Sequence, residues 1–480
     1  MQQGGEIASA AVVADRLSSL PEDVLVLILL RLDDAVAAAR TGVLSRRWRR
    51  IWRLLPELRF PGDPAAHSLR AVLEGHEAPL RLLLVWTRFA AASSVAAWLP
   101  AAARRVSGHL NFGNIAVQRS EDEPAQGAAF ALPCFERATS ISLHLGFLGL
   151  AAPAAGVFAR LRELNLRRVR FHGPWGLADA FSSPRFPCLQ KLSICDARGM
   201  DNLTLHSECL LTIQLNCLQG LQQLTIVASA LRCLRIEYCS DSQLPAANIS
   251  APQLKLLGMD VYDPSSVYLG NTEHLEWMGT FFFLVYGQFG SPHNQACLRL
   301  LQKVVGELTL SLVYPHEIHS YHYLMDDMTL LPGVTSLDLI VMANGHAFGA
   351  SSFHVLRMCS GIRRLIVALR GPTEFEAYTC PSGCICAQQP NWEVEELQLN
   401  HLEEVEITEF IGSEQQVPFV KRLFNWATVL KKISVTFDVS VAEKMAKELY
   451  QMLQSFSRPE ICMEFYWYLD GSKVLYAPKD

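Results

Sequence analysis

The chain has 480 residues, of which 50% are hydrophobic and 19% are charged, so it can bury a large core and form more than one domain. Its formal net charge of -5 gives no overall basis for nucleic-acid binding. The first residues lack a basic start and contain Glu6 and Asp15, which argues against a secretory signal peptide. Most of its 13 cysteines stand singly in apolar runs, so we expect free thiols and a cytoplasmic and/or nuclear location.

The segment Leu80 to Ala103 is strongly apolar, but Arg88 interrupts it and Pro100 comes before its end. A transmembrane helix is therefore a poor fit. The pattern instead predicts a buried strand over Leu82 to Val85 and then an amphipathic helix from about Phe89 to Ala103. We expect no membrane association.

Residues 17–52 have the pattern of three short helices. Ser19 and Glu22 have the spacing of a capping box, and Pro21 suits the first helical turn, where its missing N–H costs nothing. One apolar stripe at helical spacing is then formed by Leu25, Ile28, Leu29 and Leu32.

A second short helix is predicted from Ala35 to Val43, and Ser45 can cap a third. In the third helix, Leu44, Trp48 and Trp52 recur every four residues, so we expect them to share one face. A cluster of about 40 residues is near the size at which a domain needs a metal, a disulfide or a partner. We therefore expect it to dock on another protein.

These residues resemble the F-box, the module that binds the Skp adaptor of cullin-RING ubiquitin ligases. The matching elements are Leu20-Pro21-x-Asp23-Val24-Leu25, Ile28-Leu29 and Val43-Leu44-Ser45-Arg46-Arg47-Trp48. The resemblance implies a Skp-type adaptor and, through it, a cullin as partners. It also implies an adaptor-binding set of Leu20, Pro21, Leu25, Ile28, Leu29, Leu32, Leu44, Trp48 and Trp52. The alternatives are a plain helical hairpin with a basic edge, and a nucleic-acid or nuclear-import patch at residues 46–53.

From about residue 130, the unit L-x-x-L-x-[LI] recurs irregularly every 20–30 residues or so. It begins at Leu161, Leu189, Leu221, Leu231, Val334, Ile362, Leu402 and Leu430. The last two apolar positions of each unit are two apart, as in a strand with one face inward. The pattern predicts a leucine-rich-repeat solenoid whose strands line one face, with the longer returns packed outside. The alternative is a sandwich of unrelated strands, and the register is least secure at residues 196–221 and 314–327.

Residues 392–456 resemble the FBD domain, which commonly follows an F-box and leucine-rich repeats in plants. The pattern predicts a strand at Val405 and Ile407, then a helix, a further strand and a last helix that caps the open end of the solenoid. The buried face of the first helix is predicted as Phe419, Leu423, Trp426, Ala427 and Leu430, and that of the last helix as Val441, Met445, Leu449, Leu453 and Phe456.

The fold expected for the whole chain is therefore α/β, with a three-helix F-box, an irregular leucine-rich-repeat solenoid and an FBD-type αβ cap. The expected boundaries are 15–60 for the F-box, 61–129 for a linking region, 130–390 for the repeats, 391–460 for the FBD-like domain and 461–480 for a tail.

Two clusters could suggest a catalytic or metal site. The first consists of three cysteines within seven residues, Cys380, Cys384 and Cys386, with His401 as a distant fourth ligand. This spacing is not the usual one for a zinc site. We therefore expect no metal and no cofactor. Three histidines, His316, His319 and His322, fit a solvated polar insert better than a metal site.

No nucleophile and base can be assigned in this sequence, so we expect a non-catalytic protein. The resemblance implies a substrate-recognition subunit of an SCF-type ubiquitin ligase that binds an unidentified protein substrate through the repeats. A non-degradative F-box scaffold and a ligand-sensing receptor are the alternatives.

Overall fold

The computed structural model describes residues 20–115, 129–153, 155–173, 181–237, 246–259, 264–272, 275–326, 328–370, 380, 383–388, 392–469 and 472–477. Its contacts divide the chain into two compact units. The first unit comprises residues 1–175 and 181–198, and the second comprises residues 176–180 and 199–480. No helix within the described ranges is long and apolar enough to cross a bilayer.

The α-helices are α1 (Glu22–Leu30), α2 (Ala35–Arg40), α3 (Trp48–Ile51), α4 (Ala66–Gly75), α5 (Ala92–Arg105), α6 (His293–Leu301), α7 (Gly349–Met358), α8 (Gln416–Trp426) and α9 (Glu443–Phe456). Short 3₁₀ turns occur at Thr41–Val43, Trp52–Leu54, Pro264–Ser266 and Ile385–Gln388.

The strands of the first unit are β1 (Glu57–Phe60), β2 (Leu80–Thr87), β3 (Val106–Asn114), β4 (Phe130–Ala131), β5 (Ser140–Ala151), β6 (Glu163–His172) and β7 (Lys191–Arg198). Those of the second unit are β8 (Asn202–Ser207), β9 (Thr212–Gln219), β10 (Gln223–Ala228), β11 (Cys233–Glu237), β12 (Ala246–Ser250), β13 (Leu256–Met259), β14 (Val267–Gly270), β15 (Leu275–Leu284), β16 (Tyr286–Gly287), β17 (Val304–Val313), β18 (His322–Tyr323), β19 (Ser336–Met342), β20 (Arg364–Arg370), β21 (Glu404–Phe410), β22 (Lys432–Phe437), β23 (Cys462–Leu469) and β24 (Ser472–Leu475).

The first unit is built on one parallel sheet in the order β1-β2-β3-β5-β6-β7, with β4 added beside the end of β5. The returns from β1 to β2 and from β2 to β3 are the helices α4 and α5. The predicted strand at residues 82–85 lies within β2, and the helix predicted from about residue 89 to 103 is α5. The sheet therefore begins before the region that the sequence assigns to a linker.

The second unit has a main parallel sheet in the order β9-β11-β13-β15-β17-β19-β20-β21-β22-β23. A second parallel sheet has the order β8-β10-β12-β14. The chain alternates between the two sheets from β8 to β15, so its returns there are strands. From β15 onward the returns that pack on the sheet include the helices α6, α7, α8 and α9.

This alternation corrects one expectation. The repeat that begins at Leu221 supplies β10 of the second sheet, whereas the repeat that begins at Leu231 supplies β11 of the main sheet. The repeats therefore do not all line a single sheet. Within each sheet the register is as the pattern predicts, since Leu164 pairs with Leu192 and Leu337 pairs with Leu365. All three apolar positions of each repeat are buried.

The C-terminal strands and helices follow the predicted order from β21 to α9. The expected face of α8 is buried, but α9 is rotated relative to its prediction because Ala446, rather than Met445, lies in the core with Leu449 and Leu453. The chain then continues into β23, which joins the sheet, and β24, which pairs with it antiparallel. The last helix is therefore not the end of the sheet, and part of the predicted tail is sheet.

Candidate functional site

Residues 20–55, which we call the helical module, form their own small core in the first unit. Leu25 and Leu29 of α1 and Trp48 and Ile51 of α3 are all at most 6% exposed. Leu25 and Trp48, which the family resemblance places in the adaptor-binding set, are thus buried within the chain itself. The turn at 52–54 and the strand β1 continue directly from the helices and complete the core with Leu55 and Leu58.

Local hydrogen bonds fix the ends of the short helices. The Asp34 carboxylate accepts the Val36 N–H at 2.8 Å and caps α2, as Asp at this position commonly does. Ser45 Oγ lies 3.5 Å from the Trp48 backbone nitrogen at the start of α3. The Arg49 guanidinium donates to the Gly42 carbonyl at 3.1 Å, which ties α3 to the 3₁₀ turn before it. These bonds make the connection between α2 and α3 a defined surface.

The predicted capping box at the start of α1 does not fit the observed helix. The helix begins at Glu22 with Pro21 as its N-cap and without a side-chain capping bond, whereas a capping box needs Glu22 three positions after the cap. Ser19 lies outside the described residues.

The helical module carries an unusual number of exposed apolar side chains. They are Leu27, Ile28, Leu32, Val36, Val43 and Leu44, and we call them the apolar surface. They account for six of the 21 large hydrophobic side chains that are exposed in the described part of the chain, although they span only 18 positions. Scattered apolar residues need no explanation, but such a concentration marks an interaction site.

The structure divides the predicted adaptor-binding residues into two groups. Pro21, Ile28, Leu32 and Leu44 are exposed, and Leu20 and Trp52 are half-buried. The other three, Leu25, Leu29 and Trp48, belong to the core. Leu44 is 63% exposed while Trp48 is 6% exposed, so the predicted common face of Leu44, Trp48 and Trp52 does not form.

Sequence reasoning missed Leu27, Val36 and Val43. The missed signal was that α1 is apolar all round, without a break from Val24 to Leu30. A short helix with apolar side chains on every side needs cover on more than one face. Leu27 lies about 200° around the helix from both Leu25 and Leu29, so it points away from the core that they fill.

Charges of both signs neighbour the apolar surface in the sequence, with Glu22 and Asp23 exposed before it, Asp33 exposed within its span and three arginines exposed after it. Arg46, Arg49 and Arg50 are exposed on the turn before α3 and on α3 itself. The Arg50 and Arg53 guanidinium groups approach the Glu77 carboxylate only loosely, at 3.8 and 3.9 Å, and exposed pairs of this kind contribute little to stability. A partner with an apolar face and carboxylates at its edge would complement this surface.

His76 joins the end of the helical module to α4. Its Nε2 lies 2.9 Å from the Leu55 carbonyl oxygen, and its ring is almost fully buried. Burial is the main effect on His76 and lowers its pKa, whereas the hydrogen bond to Leu55 raises that pKa. The charge of Arg105 lowers the pKa of His76 further, and the charge of Glu77 raises it. The Nδ1 atom is also buried and has no hydrogen-bond partner among the described residues. A second proton would therefore be poorly accommodated, so His76 is neutral in the folded module.

We expect the module to loosen as the pH falls through about 6.5, because the unfolded chain then binds a proton that folded His76 does not accept. Hydrogen exchange of peptides covering residues 48–60, corrected for intrinsic exchange rates, should show less protection at pH 5.5 than at pH 7.5. His76→Gln replaces the imidazole by a side-chain amide, which can still donate a hydrogen bond but cannot titrate, so its protection should change less between the two pH values. Equal pH dependence in the two proteins would contradict this role.

The outward side of the main sheet in the second unit is polar and cross-linked between strands. The Arg364 guanidinium lies 3.7 Å from the Glu406 carboxylate, and the Lys432 ammonium lies 3.0 Å from Glu464. Hydrogen bonds from Lys432 and then Tyr466 lower the pKa of Glu464, whereas burial raises the pKa of Asp338. Such a surface offers both charges and hydrogen-bonding groups to a protein segment.

The other candidate residues of the sequence are placed as follows. His316, His319 and His322 are exposed, as expected for a polar insert. The three clustered cysteines lie together, but His401 is exposed in the turn before β21, and the histidine beside the cysteines is His346.

Residues 17–60, which contain the helical module, match the family model described as the F-box domain. Two relatives from Arabidopsis thaliana, assigned by name to the F-box/FBD/LRR-repeat proteins, are similar over longer stretches. One is 29% identical over 262 residues, which are 52% of this chain and 53% of the relative. The other is 28% identical over 270 residues, 52% of each chain. A third Arabidopsis relative with the same family name is 44% identical over 72 residues, 14% of this chain and 18% of the relative. The chain thus matches about half the length of the first two relatives.

Proposed function

We propose that this chain, an F-box domain protein related to plant F-box/FBD/LRR-repeat proteins, is a non-catalytic substrate-recognition subunit of an SCF-type cullin-RING ubiquitin ligase. The helical module docks on a Skp-type adaptor, which connects the chain to a cullin. The repeats bind a protein substrate. The observation that carries this proposal is the apolar surface, which lies within the residues that match the F-box.

The apolar surface is chemically suited to a lasting interface. Full burial of an exposed Val or Leu contributes about 1.5–3 kcal/mol, and a few well-buried anchors provide most of the energy of a typical interface. Val43 and Leu44 are the most exposed of the six, at 84% and 63%, so they have the most area to lose on docking. The same proposed contact extends to Ile28 on α1 and to Pro21 and Leu32 on either side of that helix. It is supported from the core by Leu25, Leu29 and Trp48.

The repeats support the substrate-binding half of the proposal. Parallel strands in register give a rigid surface whose outward side chains are free to vary without disturbing the core. Holding a substrate on such a surface within a ligase assembly converts ubiquitin transfer into a proximity-assisted step, while the transfer chemistry resides in other subunits. The proposed domain boundaries, with the F-box at 15–60, the repeats at 130–390 and the FBD-like domain at 391–460, rest on sequence resemblance.

The double variant Val43→Asp/Leu44→Asp tests the adaptor interface. Both side chains are exposed, so the variant should fold normally, but it places two carboxylates in a contact that must be dry. We expect adaptor affinity to fall at least about a hundredfold, which corresponds to roughly 3 kcal/mol. Titration of the purified chain with a Skp-type adaptor would measure this change.

Matched controls are Phe89→Asp in the first unit and Val439→Asp in the second, since these side chains are 70% and 75% exposed and lie outside the apolar surface. Both should bind the adaptor as the wild type does. Wild-type affinity in the double variant would exclude the apolar surface as the docking site.

Co-purification separates the ligase from a non-degradative scaffold. A ligase subunit should recover both adaptor and cullin, and the double variant should recover neither. Recovery of the adaptor without cullin would favour the scaffold. Capture with the repeats while the proteasome is blocked would then identify bound substrates.

A further inference from the structure

The second unit brings three thiols and one imidazole to a single point. The Nδ1 atom of His346 and the sulfur atoms of Cys380, Cys384 and Cys386 all lie within 4.8 Å of one another. Cys380 Sγ is 3.3 Å from His346 Nδ1, and Cys384 Sγ is 3.6 Å from the same nitrogen. The sulfur atoms of Cys380 and Cys386 are 3.4 Å apart. These three cysteines are not joined by disulfides in the described structure.

We propose that His346, Cys380, Cys384 and Cys386 bind one structural zinc ion. Zinc prefers four tetrahedral nitrogen and sulfur ligands at about 2.0–2.1 and 2.3 Å, which places neighbouring sulfur atoms about 3.8 Å apart and sulfur and nitrogen about 3.6 Å apart. The three separations of 3.3, 3.4 and 3.6 Å given above lie close to these values. A set of four protein ligands leaves no open position, so the site is structural and not catalytic.

The loop from β19 to α7 holds His346 in the orientation of a metal ligand. Asn344 and Gly345 have positive φ angles of 47° and 80°, which turn the chain back after the strand. The Nε2 atom of His346 lies 3.2 Å from the His316 carbonyl oxygen, so that nitrogen carries the proton and donates it. Nδ1 is then unprotonated and faces the thiols, and metal-binding histidines are commonly oriented by such a bond from their other nitrogen. The ring is 2% exposed and stacks on Tyr314 with a centroid distance of 6.1 Å.

The cysteine segment is also arranged for metal binding. Gly383 has a φ of 84°, and the following 3₁₀ turn is closed by a bond from the Ala387 N–H to the Cys384 carbonyl at 3.1 Å. Backbone groups of Ile385 and Cys386 hydrogen-bond the Cys384 sulfur. Zinc binds thiolates, and backbone N–H groups directed at sulfur stabilise that charge. A buried cysteine without such a role usually stands alone as a small hydrophobic residue.

The position of the cluster explains what a metal ion would do there. His346 follows β19, and the cysteines follow β20, so the ion joins the connections of two adjacent repeats. The connection from β20 to β21 runs from residue 371 to 403, which is long for a repeat protein. Zinc binding supplies folding free energy to segments that have few apolar side chains to bury.

Elemental analysis of the full-length protein, expressed with zinc and purified without chelators, tests the proposal. We expect one zinc ion per chain, loss of that zinc in Cys384→Ser and His346→Asn, and a lower melting temperature after chelation. Cys188→Ser and His401→Asn are matched controls because both residues are exposed and lie outside the cluster, so they should retain zinc.

Cobalt substitution of the wild-type protein keeps the test decisive if a variant fails to fold. Cobalt bound by three thiolates and one imidazole gives intense visible bands and a thiolate charge-transfer band. Substoichiometric zinc together with no cobalt spectrum would overturn the proposal. Loss of zinc in His401→Asn with retention in His346→Asn would also overturn it, as would a disulfide between two of the three cysteines in the freshly purified protein.

Discussion

Leu164→Asp is expected to unfold the first unit, whereas Asn165→Asp, one position later on β6, leaves it folded. Leu164 is 1% exposed and pairs across the sheet with Ile141 and Leu192. An aspartate there buries a carboxylate without a partner, which costs more than about 4 kcal/mol, a large part of the 5–15 kcal/mol that stabilises a typical domain. Thermal denaturation and limited proteolysis would measure the loss.

Asn165→Asp introduces the same side chain in almost the same place on the chain. Asn165 is exposed because successive residues of a strand point to opposite faces, and its cross-strand neighbours Ser142 and Ser193 are uncharged. This variant should melt within a degree or two of the wild type. If the two variants exchanged effects, so that Asn165→Asp unfolded the unit and Leu164→Asp did not, β6 would be out of register by one residue.

Trp48→Ala should destabilise the helical module by about 3–5 kcal/mol, the usual cost of removing a buried tryptophan side chain. Trp48 fills the core between α1 and α3, so its loss leaves a cavity that three short helices cannot close. Hydrogen exchange of peptides covering residues 22–55 should show lost protection. Adaptor binding should weaken as a consequence of unfolding.

The first comparison for Trp48→Ala is the double variant Val43→Asp/Leu44→Asp, which should lose adaptor binding while its hydrogen-exchange protection remains. Trp52→Ala is the second comparison, since that side chain is only half-buried and makes a tilted contact with His76 at 6.5 Å. It should cost less than Trp48→Ala. Normal protection in Trp48→Ala with lost adaptor binding would mean that Trp48 itself contacts the partner.

The sequence predicted the strands well because the apolar period within a strand is local. The repeat pattern predicts inward positions at Leu337, Leu365, Val405 and Ile433. In the structure these four side chains form one continuous layer across four strands. The sequence of a single strand does not show which of the two sheets that strand joins. The repeats at Leu221 and Leu231 have the same pattern, yet they enter different sheets because the intervening turn is too short for a helix.

The sequence was less informative about the sites because each depends on contacts between distant segments. His346 precedes Cys380 by 34 residues, and only the pairing of β19 with β20 brings their connections together. His401 was the obvious choice because it is nearer in sequence, but it lies in an exposed turn. The burial of Leu25 and Trp48 could not be predicted from the helical pattern alone, because the core also includes Leu55 and Leu58, which lie outside the three helices.

The antiparallel strand β24 has a consequence for self-association. A parallel repeat sheet that ended at β23 would present an unpaired row of backbone groups on which another chain could add a strand. β24 is four residues long, pairs with the second half of β23 from Tyr466 to Leu469 and runs against the repeat direction, so it interrupts the parallel order at this edge. The Lys473 ammonium reaches back over the sheet, where it lies 3.4 Å from the Glu406 carboxylate of β21 and helps to hold β24 in place. The half of β23 that β24 covers is thus closed to the addition of a strand from another chain.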